Sequence, residues 1–239
     1  MLTMKRIILA LVAITLTCLV PTLVFGQDSV LSVQGSGSYD IGYYTNANMG
    51  FPDAQLHVTN PGSTGGYGSG DPTTVAGGDL CANVYVFTPD QQMVECCSCK
   101  ITPNGMQGFS LAVDLTSNPL TSTVPHSGAI KVVSSFGGGH RGAGLPPAID
   151  TDSSKPFCDA GSNYWPSGRL ESWITHVRPL GAAMGAAFTV TEINFQDAQL
   201  SYSELKKLEQ QCYAIEANPS RGGLGSGAGV CNCDPKKQM

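Results

Sequence analysis

The sequence predicts a mainly β domain: an antiparallel sandwich or barrel-like body, closed by one C-terminal α-helix and stapled by disulfides. Three observations carry this expectation. Short strand-like runs recur between clusters of Gly, Pro, Asn and Asp, as they do in antiparallel folds. The 29 glycines and 15 prolines imply many turns and few long helices. Nine cysteines, with Cys96, Cys97 and Cys99 crowded into one short run, supply a cross-linking set.

Met1 to Gly26 combine a basic start (Lys5, Arg6), an uncharged apolar run from Ile7 to Val20 and a small residue at Gly26, the pattern of a secretory signal peptide. Pro21 and the small-residue exit favour cleavage over a membrane anchor. Cys18 lacks the small preceding residue that lipid attachment needs. Cleavage after Gly26 leaves 213 residues with eight cysteines, an even number suited to an oxidising compartment. It also leaves 11 basic against 18 acidic residues, a balance of −7. Nucleic acid is an unsuitable partner for such a surface, because phosphate binding requires concentrated Lys and Arg. No later segment is apolar enough over about 20 residues to span a bilayer, so no membrane association is expected after cleavage. The low charged fraction, 13 %, beside 41 % hydrophobic residues predicts a folded rather than disordered chain.

Residues 27–78 read as a turn-rich, glycine-rich segment with one strand candidate, "AQLHVTN" (54–60), followed by the tract "PGSTGGYGSGD". A β-rich domain over 79–217 opens with "LCANVYVFT" and "MVECCSCKIT" around the turn Pro89-Asp90-Gln91-Gln92, the signature of a hairpin. Pairing Phe87 with Met93 would set Cys81 opposite Cys99. Alternation would then put Cys81, Cys97 and Cys99 on one face, and Cys96 on the other with Val84, Val86 and Val94. Adjacent cysteines on opposite faces can tie one strand to two different elements. Further strands are expected at "FSLAVDL", "AIKVVSSF", "RLESWITHV" and "AAFTVTEINF". The helix starts at Ser201, an N-cap with Glu204 three residues on and Leu200 and Leu205 as a hydrophobic staple. Leu205, Leu208, Cys212 and Ile215 share its apolar stripe. Residues 218–239 form a glycine-rich tail anchored by Cys231 and Cys233.

The block "DLCANVYVFTPDQQMVECCSCKITPNG", the following "DLTSNPLT", and "QDAQLSYSELKKLEQQCYAIEAN" with its downstream cysteine pair resemble an uncharacterised family of secreted, cysteine-containing proteins of acidobacterial type. The resemblance implies export and a shared cysteine framework, and assigns no catalytic residue.

The cysteines Cys81, Cys96, Cys97, Cys99, Cys158, Cys212, Cys231 and Cys233 are disulfide candidates, with 105 possible pairings among eight. A thiolate metal site or a redox pair are the alternatives, but the two C-x-x-C pairs that zinc ribbons use are absent. Asp150, Asp152 and Asp159 in "DTDSSKPFCD" offer oxygen ligands for calcium, yet the loop departs from the calcium-loop template at Lys155 and Gly161. His140 and Arg141 in "GGGHRGAG" could meet an anion among glycine N–H groups. His176 in "SWITHV" reads as a packed sheet residue. Tyr164 and Trp165 are loop aromatics able to stack on a sugar. The chain lacks the G-x-S-x-G, H-E-x-x-H and P-loop patterns. No cofactor is expected. The leading expectation is a non-catalytic extracellular or cell-surface protein, structural or adhesive, whose partner is a cell-surface protein or a polysaccharide. The alternatives are a carbohydrate-binding module using the loop aromatics and, more remotely, a metal-dependent enzyme using the cysteine cluster.

Overall fold

The computed structural model describes residues 38–62, 78–136, 158–161, 170–180, 187–217 and 229–233. Among these residues nine strands and one α-helix follow in chain order: β1 Ser38–Tyr44, β2 Gln55–Thr59, β3 Leu80–Phe87, β4 Met93–Ile101, β5 Met106–Ser110, β6 Gly128–Phe136, β7 Glu171–Pro179, β8 Phe188–Asn194, β9 Gln196–Gln199 and α1 Tyr202–Ala217. They form two antiparallel sheets, a five-stranded one in the order β4-β3-β6-β1-β9 and a four-stranded one in the order β5-β2-β7-β8.

The two sheets enclose one apolar core. Leu80, Ala82, Val84 and Val86 of β3, with Ile130 and Val132 of β6, share it with Leu56 and Val58 of β2, Phe109 of β5 and Ile174 of β7. A second cluster lies on the opposite face of the five-stranded sheet. There Tyr85, Phe87, Cys96 and Val133 meet Leu205, Leu208, Cys212 and Ile215 of α1. β3 is therefore covered on both sides and all eight of its residues are buried. Its one buried amide side chain, Asn83, is satisfied: Nδ2 donates to the Val133 carbonyl and the Ser135 hydroxyl, both at 2.8 Å.

The helix begins as its sequence requires. Ser201 Oγ accepts the Glu204 N–H at 3.1 Å, and Leu200 and Leu205 are both buried in the second cluster. The Glu204 carboxylate, however, pairs with Lys131 of β6 instead of returning to the Ser201 N–H. The box is thus half closed, and the helix gains a tie to the sheet.

Four expectations need correction. The hairpin does pair Phe87 with Met93, but a bulge next to that pair sets Val86 opposite Glu95 and leaves Val94 without a partner. Every later pair moves by one, so Ala82, not Cys81, faces Cys99 and Val84 faces Cys97. Cys97 and Cys99 consequently lie in the core between the sheets with Val84 and Val86, and Cys96 lies under the helix with Tyr85. The run "FSLAVDL" is not one strand. β5 stops at Ser110, and Leu111–Leu115 form a single π-helical turn in which Ser110 Oγ takes the Val113 N–H at 2.9 Å and Asp114 takes the Ser110 N–H at 2.7 Å. Side-chain acceptors have replaced the ladder. "AAFTVTEINF" also divides: β8 ends at Asn194, and the chain crosses between sheets at Phe195 to begin β9. The Phe195 ring occupies the space above Gly42, where a Cβ would collide with it. The turn-rich N-terminal stretch contributes an unforeseen strand, β1, which lies inside the five-stranded sheet between β6 and β9.

Four disulfides cross-link the elements: Cys81–Cys158, Cys96–Cys212, Cys97–Cys231 and Cys99–Cys233, with Cα separations of 5.2 to 5.8 Å. The adjacent pair in β4 ties that strand in two directions. Cys96 reaches the helix and Cys97 reaches the tail.

Candidate functional site

The structure gathers the cysteines into two sulfur clusters and assigns both to cross-links. Cys97, Cys99 and Cys233 lie together, as do Cys96, Cys212 and the Glu216 carboxylate. Each of these sulfurs is bonded to a partner sulfur, so none presents the thiolate that ligates a metal or attacks a disulfide. Asp159 accepts the Gly161 N–H at 2.9 Å and faces Glu216. Burial, and then the Asp159 carboxylate, push Glu216 up to about 7. Asp150, Asp152, His140, Arg141, Tyr164 and Trp165 lie outside the described residues.

Two further acids are perturbed within the sandwich. Glu95 of β4 is fully buried. Oε1 accepts the Asn118 N–H at 2.8 Å, Oε2 has no partner among the described residues, and desolvation raises the group to about 8. Such a carboxyl is sealed from any substrate. Asp40 of β1 stands opposite Asp197 of β9. Burial raises it to about 7, the Asp197 and Glu171 carboxylates add to the rise, and Ser172 offsets part of it.

The outer face of the four-stranded sheet has a different character. Strand alternation turns Leu56, Val58, Phe109 and Ile174 inward and leaves Gln55, His57, Thr59, Gly108, Trp173, Thr175, Glu192 and Asn194 outward. Register aligns four of these across all the strands: Gly108 opposite His57, His57 opposite Trp173, Trp173 opposite Asn194. The His57 and Trp173 rings are stacked, with centroids 5.2 Å apart and planes 22° from parallel. The His57 Nδ1 atom is buried and has no partner among the described residues.

Burial disfavours the charged form of the imidazole. Burial lowers the His57 pKa, and Glu192, on the same face, opposes that only in part. The ring pair is bordered by polar groups: Thr175, whose hydroxyl takes the Gln55 N–H at 2.8 Å, and Glu192 opposite Thr175. At the far end of the face, Val177 joins the β1–β2 loop in lining a cleft of about 300 Å³ with Asn46, Asn48, Gly50, Phe51, Pro52 and Asp53. Three residues of this loop, Asn46, Asn48 and Gly50, have left-handed backbones (φ 61°, 57° and 76°), which suit Asn and Gly. Asp53 fastens the cleft wall, accepting the Ala112 N–H at 2.9 Å and the Ser110 hydroxyl at 2.5 Å.

Flat aromatic area edged by amide, hydroxyl and carboxylate groups can hold a sugar ring by its C–H face while its hydroxyls find partners. Sequence reasoning placed the aromatic surface in loops and missed this one. The signal was available in part, since alternation in "AQLHVTN" and "SWITHV" already opposes His57 and Trp173 to their apolar neighbours. What alternation alone does not show is that strands 116 positions apart pair in this register, as the His57–Trp173 partnership requires. Comparison of the chain with protein-family models, with curated proteins and with solved structures gave no match.

Proposed function

We propose that the chain is a secreted, non-catalytic adhesive domain that binds polysaccharide on the outer face of its four-stranded sheet. The observation that carries this reading is the His57–Trp173 stack, set in one register row and bordered by Gln55, Thr175, Glu192 and Asn194. Trp173 supplies the surface for a pyranose C–H face. His57, uncharged and packed against it, holds the indole in orientation, and the flanking polar groups meet the hydroxyls. Export is supported by the leader-like residues 1–26 and by four disulfides, which persist in oxidising compartments. No helix among the described residues is long and apolar enough to cross a membrane. The resemblance to secreted proteins of acidobacterial type belongs to the same proposal.

Glycan-array binding by the chain purified from an oxidising host tests it. Removal of a central aromatic anchor typically costs about 2 kcal/mol or more, roughly thirtyfold in Kd. Trp173→Ala should therefore abolish array signals that Trp165→Ala leaves in place. Loss with Trp165→Ala alone would move the site to the loop aromatics. Absence of any glycan signal, or saturable turnover of a substrate lost on changing a histidine or aspartate, would overturn the reading.

A further inference from the structure

The two sheets end in strands treated very differently. β4, at one edge of the five-stranded sheet, is covered along its open side. Cys96 N–H donates to the Gly229 carbonyl at 2.9 Å, Cys231 N–H returns to the Cys96 carbonyl at 3.2 Å, and Leu120 N–H meets the Val94 carbonyl at 2.8 Å. Two disulfides, Cys97–Cys231 and Cys99–Cys233, lock that cover in place. The opposite edge of the same sheet is β9, only four residues long and carrying Asp197. β5, one edge of the four-stranded sheet, has five residues and runs into the π-helical turn.

β8 is the exception. It is seven residues long, "FTVTEIN", every residue is exposed, and among the described residues it is paired only with β7. It has no proline, lysine or bulge, the usual devices that blunt an edge. Val190 is 63 % exposed, Ile193 38 % and Phe188 37 %. Its single charge is Glu192. Phe188 adds to the apolar surface through an edge-on contact with Phe51 at 6.2 Å.

We propose that β8 is the seam along which two copies of this chain associate, antiparallel about a two-fold axis, so that the four-stranded sheet runs on from one copy into the other. The strand is self-complementary. Centring the axis on Val190 sets Val190 against Val190 and Glu192 against Phe188. Centring it on Thr191 sets Val190 against Glu192 and Thr189 against Ile193. Neither register opposes two carboxylates, and both keep each side chain on its own face. On a chain of net charge −5, where like-charged surfaces repel, a strip with one charge in seven residues is where a second copy can approach. A closed, isologous pair uses both edges at once, which an unrelated strand partner does not. Pairing would set both outward faces side by side, Trp173 and His57 of each copy included. The pairing itself stands without the polysaccharide reading. Only its consequence, two-point attachment to a repeating polymer, rests on that reading.

Sedimentation velocity of the disulfide-intact chain over a concentration series is the test, with Val190→Glu and, as a control on the opposite sheet's helix, Tyr202→Glu. The wild type and Tyr202→Glu should sediment at twice the chain mass. Val190→Glu places carboxylates opposite one another in either register and should sediment at the chain mass with an unchanged melting curve. A wild type that stays monomeric, a dimer that survives Val190→Glu, or a dimer lost equally in Tyr202→Glu would overturn the proposal. If Val190→Glu fails to fold, amide exchange of residues 188–194 in the wild type decides. Protection that rises with concentration supports pairing, and protection independent of concentration refutes it. Glycan binding by a monomeric Val190→Glu chain would leave the sheet-face reading standing, so the two proposals fail separately.

Discussion

Replacing Glu95 by Gln should make the protein more stable at alkaline pH and nearly unchanged at acidic pH. Glu95 is enclosed in the core and its folded pKa is raised from 4.5 to about 8, first by desolvation. Tyr44 is the neighbouring ionisable group, its own pKa raised by burial and by the Glu95 charge. A carboxyl that holds its proton more tightly when folded contributes most below its unfolded pKa, and that contribution is lost as pH rises through the folded value. From about pH 5 to about pH 8 the loss runs at about 1.36 kcal/mol per pH unit, on the order of 4 kcal/mol in all, and it levels off beyond. Glutamine keeps the acceptor for the Asn118 N–H and never ionises. Urea unfolding with disulfides intact, repeated across that window, should show the variant gaining on the wild type step by step and then holding a constant lead. Asp40 and Glu216, both raised to about 7, give the two proteins a common slope of the same sign, which cancels in the difference. A difference that does not vary with pH, or a wild type that gains stability toward alkaline pH, would refute the reasoning.

The Cys96–Cys212 bridge closes a span of 116 residues, for which loop-closure entropy gives about 5 kcal/mol. Cys96→Ser with Cys212→Ser should lose about that much in urea unfolding, and alkylation of the intact wild type should find no thiol among its eight bridged cysteines until reduction. Gly42→Ala drives a methyl group into the Phe195 ring at the crossing between sheets, and overpacking of this kind costs about 1 to 3 kcal/mol, readable as a lowered Tm.

The elements that could be read from sequence are those whose causes are local. The helix is specified by Ser201, Leu200 and the stripe from Leu205 to Ile215, all within one turn or a few turns of each other, and it forms as that pattern requires. The β3–β4 hairpin was legible from its turn, and its register was not. The bulge at Val94 is a response to what the two faces must bury: Cys97 and Cys99 between the sheets, Cys96 beneath α1. β1 escaped notice because "SYDIGYY" lacks a clean apolar alternation, and its strand state is imposed by β6 and β9 on either side. The aromatic pair of the sheet face was half visible for a related reason. Each side chain's outward position is a local property, whereas their contact depends on pairing between strands remote in sequence.

The cysteine cluster follows from the same economy of edges. A strand at the end of a sheet exposes one row of backbone donors and acceptors, and a chain with 13 % charged residues has few lysines to spend on guarding it. At β4 the guard is a segment of the chain itself, and a glycine-rich tail would lose much conformational freedom by lying down there. Covalent attachment offsets that cost at two points, Cys97–Cys231 and Cys99–Cys233. Cys96 faces the other way and secures the helix that covers the sheet's remaining face. Three cysteines in four positions are thus what an edge strand needs when cover must reach it from two directions. That no such device covers β8 among the described residues, in a chain that defends β4 so heavily, is the strongest reason to propose β8 as an edge kept open for a partner.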